Sequence, residues 1–205
     1  MEIKDKNYNR NIGITKRRNM KIGILGGSFN PAHEGHLYIS NIALKIFRLD
    51  EVWWLVSPQN PLKTTLIKNN VKVRIKHAKS ISNRYKIRVG DLETKFNTNL
   101  TAKTLKIIVK RYAGTKFIWL MGADNLKEID KWFNWKSIFN TMPIAVFDRG
   151  VYSYSIINSI AGKRYFSKLH KRKNSKSIFN TRPPSWQFIH NCKNPISSTN
   201  IRNLT

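Results

Sequence analysis

Cysteine is almost absent: Cys192 stands alone in 205 residues. One thiol cannot close an intramolecular disulfide or build a cysteine-based metal site, and a reducing cytoplasm fits that usage. Long apolar runs are missing as well. The longest, around Phe117–Ala123, falls far short of the roughly 18–20 residues that cross a bilayer, so no membrane span is expected. The N-terminus has no apolar stretch of the kind that marks a secretory signal. Acidic residues are scarce too, 11 against 38 lysines and arginines, for a formal net charge of +27. Such an excess draws polyanions, whether nucleic acid, anionic lipid or nucleotide phosphate. Here the lysines are scattered, as in Lys103–Lys110 and Lys163–Lys176, and travel with many Asn and Ile. That mixture is what an AT-rich coding sequence places at permissive surface positions. A dedicated nucleic-acid surface would interleave aromatics and cations along one stripe, so the sequence disfavours it. Internal repeats and long low-complexity tracts are also lacking.

What is present is a core-forming share of apolar residues, 40%, arranged in short blocks. Residues 1–19 are polar and basic without periodicity and are expected to form a flexible arm. Residues 20–205 are expected to form one domain. Strands are predicted at Ile22–Leu25, Val52–Val56, Lys86–Val89, Phe117–Met121, Ile144–Phe147 and Trp186–His190, each short and rich in β-branched or aromatic residues. Helices are predicted at His36–Phe47, Val71–Ile81, Ala102–Tyr112, Trp132–Phe139 and Ser153–Ala161. This alternation implies right-handed βαβ units and a parallel sheet, an α/β doubly wound fold. The lysine-rich stretch 162–184, ending in Pro183-Pro184, reads as an exposed connection.

In an open parallel sheet, ligands bind beyond the carboxyl ends of the strands. After the first predicted strand comes Gly26-Gly27-Ser28-Phe29-Asn30-Pro31-Ala32-His33-Glu34-Gly35-His36, and after the second a loop containing Lys63. The fourth is followed by Gly122-Ala123-Asp124, and the last by Ile196-Ser197-Ser198-Thr199-Asn200-Ile201-Arg202. Gly26 and Gly27 lack Cβ, so phosphate or ribose can come close to the backbone there. Pro31 sets the turn into the helix. His33 and His36 share the first helical turn, where backbone N–H groups and the helix dipole favour anions. Imidazoles in that place can stabilise charge developing on phosphoryl oxygens. A metal site would need a third ligand, and His77, His170 and His190 lie in unrelated contexts that suit surface or packing roles. Ser197, Ser198 and Thr199 supply hydroxyls at a helix start, and Arg202 lies one turn beyond Ser198, able to fork onto phosphate. An ordinary hydroxyl helix cap is the plain alternative. Trp132 and Trp135, three apart on one predicted helix, are either core residues or an aromatic face that stacks a ring.

The motif Gly26-Gly27-Ser28-Phe29-Asn30-Pro31-x-His33-x-Gly35-His36, taken with Ile196-Ser197-Ser198-Thr199-x-Ile201-Arg202, resembles the nucleotidylyltransferase superfamily. Gly122-Ala123-Asp124 followed by Trp132-x-x-Trp135, and Leu100-Thr101-Ala102-x-Thr104-Leu105, are similar to bacterial nicotinate-nucleotide adenylyltransferases in particular. The resemblance runs from about Lys21 to Arg202. It implies a Rossmann-like sheet of nucleotidylyltransferase type and transfer of the adenylyl group of ATP to nicotinate mononucleotide, with release of pyrophosphate, in NAD biosynthesis. It implies that His33, His36, Lys63 and Arg202 are catalytic. Gly26, Gly27, Ser28, Phe29, Gly35, Gly122, Asp124, Ile196, Ser197, Ser198 and Thr199 would bind ATP. Asn30, Thr101 and Trp132 would bind the mononucleotide. Leu62 and Leu100 depart from the pattern, since histidine and tyrosine are usual there. Mg²⁺ would arrive with ATP rather than in a protein cage. A homo-oligomer is compatible with everything above. Other acceptors, nicotinamide mononucleotide or phosphopantetheine, are the alternatives within the superfamily, the latter disfavoured by His33. A basic nucleic-acid-binding module is the alternative outside it.

Overall fold

The computed structural model of the chain describes residues 12, 19–58, 70–82, 86–148, 156–170 and 175–190. Six strands form one parallel sheet: β1 (Lys21–Gly27), β2 (Glu51–Val56), β3 (Ile87–Gly90), β4 (Lys116–Gly122), β5 (Ile144–Phe147) and β6 (Trp186–Ile189). Their order is β3-β2-β1-β4-β5-β6, that of a doubly wound nucleotide-binding sheet. The winding reverses between β1 and β4, and in such sheets ligands bind outside the carboxyl ends of the strands at that point. All six predicted strands are present. Periodicity found them because each is apolar on both faces; every residue of β2, for example, is buried.

Among the described residues seven α-helices accompany the sheet: α1 (Glu34–Ile46), α2 (Val71–Ile81), α3 (Leu92–Lys95), α4 (Thr101–Arg111), α5 (Ala123–Glu128), α6 (Trp135–Thr141) and α7 (Ile160–Arg164). α1 buries Gly35, Ile39 and Ala43, a stripe repeating every four residues, against the face carrying Leu25, Trp54 and Val56. α2 starts at Asn70, whose side chain accepts the Lys72 N–H at 3.0 Å. α4 buries Ala102, Leu105 and Ile108 against the opposite face, with Ile24, Trp53 and Trp119. Two hydrophobic layers thus sandwich the sheet, and both continue close to its carboxyl edge.

Three expectations change. Trp132 and Trp135 do not share a helix: α6 begins at Trp135, and Trp132 lies before it in extended backbone (φ −79°, ψ 143°), behind a 3₁₀ turn Ile129–Lys131. Asn134, left-handed at φ 47°, breaks the run between them. The last predicted helix starts later, at Ile160, after Ser159 accepts the Gly162 N–H at 3.1 Å. The stretch after Gly162 is not simply an exposed connection. Tyr165 and Ile178 are buried, Phe166–Lys168 and Ser175–Asn180 form 3₁₀ turns, and Leu169 bridges to Trp186. Lys163 and Lys168 are exposed, while Tyr165 and Ile178 pack into the two hydrophobic layers. No helix among the described residues is long and apolar enough to cross a membrane. Ile12 is 3% exposed and packs beside Gly90.

Candidate active site

The first candidate cluster sits where β1 hands over to α1. Gly26 and Gly27 end the strand, and Phe29 turns the chain in left-handed backbone (φ 46°), followed by a cis Asn30-Pro31 peptide. His33 is the N-cap of α1, with Nδ1 accepting the Gly35 N–H at 3.1 Å. His36 reaches back, its Nδ1 accepting the His33 N–H at 3.2 Å. This is a capping box built from two imidazoles instead of Ser and Glu. Its chemical consequence is a tautomer assignment. A ring nitrogen that accepts from a backbone N–H carries no proton, so the proton of each neutral ring sits on Nε2. The two Nε2–H groups are therefore the donors that this helix N-terminus offers alongside its backbone amides.

The pair is held rigidly. The rings lie 3.9 Å apart, His36 packs on Phe29 at 4.6 Å, and Phe29 stacks on Trp54 at 5.1 Å. Trp54 Nε1 donates to Ser40 Oγ at 2.8 Å, and that hydroxyl donates to the His36 carbonyl at 2.8 Å. Buried groups thus brace His36 from below while His33, 5% exposed, is walled in.

The two glycines differ. A Cβ on Gly26 would stand 2.3 Å from Trp119 Cη2, whereas one on Gly27 would meet Phe29 at 3.5 Å, ordinary contact. At Gly26 the missing side chain makes room for an indole of the neighbouring strand. The close approach of a ligand that the sequence suggested for both is open on that ground only at Gly27.

Sequence reading missed Arg74. It lies on the buried side of α2, four before Ala78. Its Nη1 donates to the Ser28 and Ser57 carbonyls, the latter at 2.8 Å, and its Nη2 to the Pro58 carbonyl at 3.0 Å. The loop after β1 is thereby pinned to the loop after β2, and burial lowers the guanidinium pKa. A cation at a core position of an amphipathic helix was the available signal. Glu93 was missed as well. It is 6% exposed on α3, and its Oε1 accepts from Thr104 Oγ1 at 3.4 Å.

Of the remaining candidates, Gly122 ends β4 beside β1, and Asp124 is exposed in the first turn of α5. Thr101 opens α4, and Trp132 is half-buried. Lys103, two residues past Thr101 on α4, holds its Nζ 5.7 Å from the ring of Phe133, the neighbour of Trp132. Ser28 and Asn30 flank Phe29 in the same turn. Lys63, Ile196, Ser197, Ser198, Thr199 and Arg202 lie outside the described residues. Of the other histidines, His77 is exposed, His170 Nε2 meets Ser177 Oγ at 2.9 Å, and His190 packs edge-on against Phe188. No cluster of three metal-ligating side chains exists among the described residues.

Residues 24–204 match the cytidylyltransferase-like family model. A protein of Ruegeria sp. (strain TM1040) named probable nicotinate-nucleotide adenylyltransferase is 40% identical over 183 residues, 89% of this chain and 96% of its own length. One of the same name from Mesorhizobium japonicum is 35% identical over 91% of this chain and 96% of its own. Among solved structures, Plasmodium falciparum nicotinic acid mononucleotide adenylyltransferase complexed with NaAD superposes with a TM-score of 0.64. It is 20% identical, and the match covers 90% of this chain and 83% of that one, a likeness of fold.

Proposed function

The chain belongs to the cytidylyltransferase-like family and, by its curated relatives, to the nicotinate-nucleotide adenylyltransferases; from that membership we propose that it transfers the adenylyl group of ATP to nicotinate mononucleotide. The products are nicotinate adenine dinucleotide and pyrophosphate, a step of NAD biosynthesis. The observation that carries the reading is the imidazole capping box. It sets two Nε2–H donors at the N-terminus of a 13-residue helix, next to a glycine turn at the switch point of the sheet.

The reaction is a direct displacement. A phosphate oxygen of the mononucleotide attacks the α-phosphorus of ATP. The bond from that phosphorus to the bridging β-oxygen breaks, and pyrophosphate carries away the electron pair. The nucleophile is already an anion, so no general base is required. Catalysis then consists of alignment and of stabilising charge on the transferring group. His33 and His36 donate to its oxygens, and the N-terminal amides of α1 add their dipole. Ser198, Thr199 and Arg202 hold the departing phosphates, and Lys63 neutralises charge near the reacting ones. Mg²⁺ enters as part of the ATP substrate. Thr101 and Trp132 receive the pyridine ring, a reading supported by the adjacency of α4 and the Trp132–Phe133 turn. The high positive charge favours capture of two anionic substrates, and the cytoplasm supplies both.

The test is pyrophosphate release from ATP with nicotinate mononucleotide, nicotinamide mononucleotide, phosphopantetheine or no acceptor. The proposal requires the nicotinate compound to give the highest kcat/KM. Preference for either alternative acceptor refutes the substrate assignment, and no release with any of them refutes the activity.

A further inference from the structure

Ser57, the first residue after β2, is tied in three directions. Its N–H donates to the Gly27 carbonyl at 2.9 Å, and its carbonyl accepts from Arg74. Its hydroxyl lies close enough to the carboxyl group of Glu93 to pull that group's pKa down. Arg74 also holds the Ser28 carbonyl, so Ser57 and the Gly27–Ser28 turn move as one piece. On the other side, Glu93 holds the approach to α4. Its backbone carbonyl accepts the Thr98 N–H at 3.0 Å, Thr98 Oγ1 accepts the Leu100 N–H at 3.2 Å, and Thr104 Oγ1 lies 3.4 Å from Glu93 Oε1. The carboxyl group thus stands between the turn assigned to ATP phosphates and the helix start assigned to the acceptor.

Packing gives no reason for a carboxyl group in that place. Oε2 is buried with no hydrogen-bond partner among the described residues, which costs stability where an apolar side chain would not. Burial pushes the Glu93 carboxyl up from its ordinary range, against the pull of the Ser57 and Thr104 hydroxyls. An unsatisfied buried oxygen of this kind calls for a function that only the paired oxygen performs.

We propose that Glu93 is a positioning residue for the transfer, its carboxyl group fixing the distance between the Gly27–Ser28 turn and the first turn of α4. The proposal rests on the adenylyl-transfer reading above. In-line displacement needs the attacking oxygen near its phosphorus, and a displacement of about 1 Å costs on the order of a hundredfold in rate. Cutting the link leaves each half-site whole but loosens their spacing. The effect therefore falls on kcat, not on either KM.

The experiment compares wild type, Glu93→Ala, Glu93→Gln, Ser57→Ala and the Glu93→Ala/Ser57→Ala pair by pyrophosphate release, with each substrate varied in turn. Glu93→Ala is expected to lower kcat by about tenfold to a hundredfold while both KM values stay within about threefold. Glu93→Gln keeps an oxygen that accepts from Ser57 and Thr104, and should hold kcat within about threefold of wild type. Because the two side chains form one link, the double variant should lose less than the product of the single losses. Should Glu93→Ala fail to fold, Thr104→Val removes one hydroxyl at nearly constant shape and must show the same fall in kcat. The idea is overturned by an unchanged kcat in these variants, by KM values rising with kcat unchanged, or by Gln doing as badly as Ala. A wild type inactive with nicotinate mononucleotide overturns the acceptor assignment alone, and the comparison is then made with whichever acceptor is used. A wild type inactive with every acceptor overturns both.

Discussion

Gly26→Ala should destabilise the protein far more than Gly27→Ala, though the residues are adjacent and chemically identical. Neither sits in left-handed backbone, since among the described residues only Gly114 is a glycine of positive φ. The difference is therefore one of space. The new Cβ at Gly26 would lie 2.3 Å from Trp119 Cη2, 3.0 Å from Cζ2 and 3.3 Å from Cζ3. Carbon atoms pack at about 3.5–4.0 Å, so the ring must retreat by more than about 1 Å. Trp119 is 3% exposed and rigid, with Ile24 and Ile144 beside it in register on the flanking strands. Overpacking of a core costs about 1–3 kcal/mol, and a rigid indole puts the expected loss in the upper half of that range. For a chain of this size that is a fall in Tm of roughly 4–12 °C. At Gly27 the nearest atoms are at 3.5, 3.7 and 4.0 Å on Phe29. Alanine there also restricts the unfolded chain, so Tm should stay level or rise slightly. Trp119→Phe removes the benzo ring that carries the clash. Trp119 Nε1 has no hydrogen-bond partner among the described residues, so the exchange forfeits no bond there, and it should rescue Gly26→Ala. Thermal denaturation of the four proteins of that cycle, with Gly27→Ala beside them, measures this. A Gly26→Ala protein as stable as wild type with Trp119 in place would refute the reasoning.

The catalytic and structural roles are separable in the same way. His36→Ala should cut turnover by roughly 10²–10³-fold with ATP affinity much less affected; its lost cap costs about 1 kcal/mol, and a folded variant of near-normal turnover would remove His36 from the chemistry. Trp132→Ala should raise KM for nicotinate mononucleotide and leave that for ATP nearly unchanged in steady-state kinetics, whereas equal losses would mean packing alone. Arg74→Met leaves three carbonyls without their donor and should cost about 2–4 kcal/mol by denaturant titration; a loss below about 0.5 kcal/mol would show that water replaces the guanidinium. Glu93, its folded pKa raised by burial, favours the fold when protonated, and that contribution is lost as pH rises through the raised value. Glu93→Gln should therefore have the higher Tm at about pH 8, with the advantage shrinking toward about pH 4.5; an advantage that grows in acid would reverse the sign of the shift.

Much of the architecture could be read from the chain. All six strands were visible because strands buried on both faces become continuous apolar blocks, and the long helices because Gly35, Ile39 and Ala43, or Ala102, Leu105 and Ile108, repeat at helical spacing. The short helices were not. α3 has four residues and α5 follows β4 without a turn residue, so neither offers a full period. The two tryptophans were assigned to one helix because Asn134, which separates them, adopts φ > 0 only in its folded context. Arg74 and Glu93 stayed hidden because their significance lies in partners 46 and 11 positions away.

Local order along the chain was enough to specify strands, major helices, their parallel winding and the histidine-bearing turn, since each depends on neighbours within a few residues. Only the tertiary structure decided which glycine makes room for Trp119, and that one arginine and one glutamate tie separate loops together. Those outcomes depend on atoms brought close by packing, and spacing along a sequence does not carry that distance.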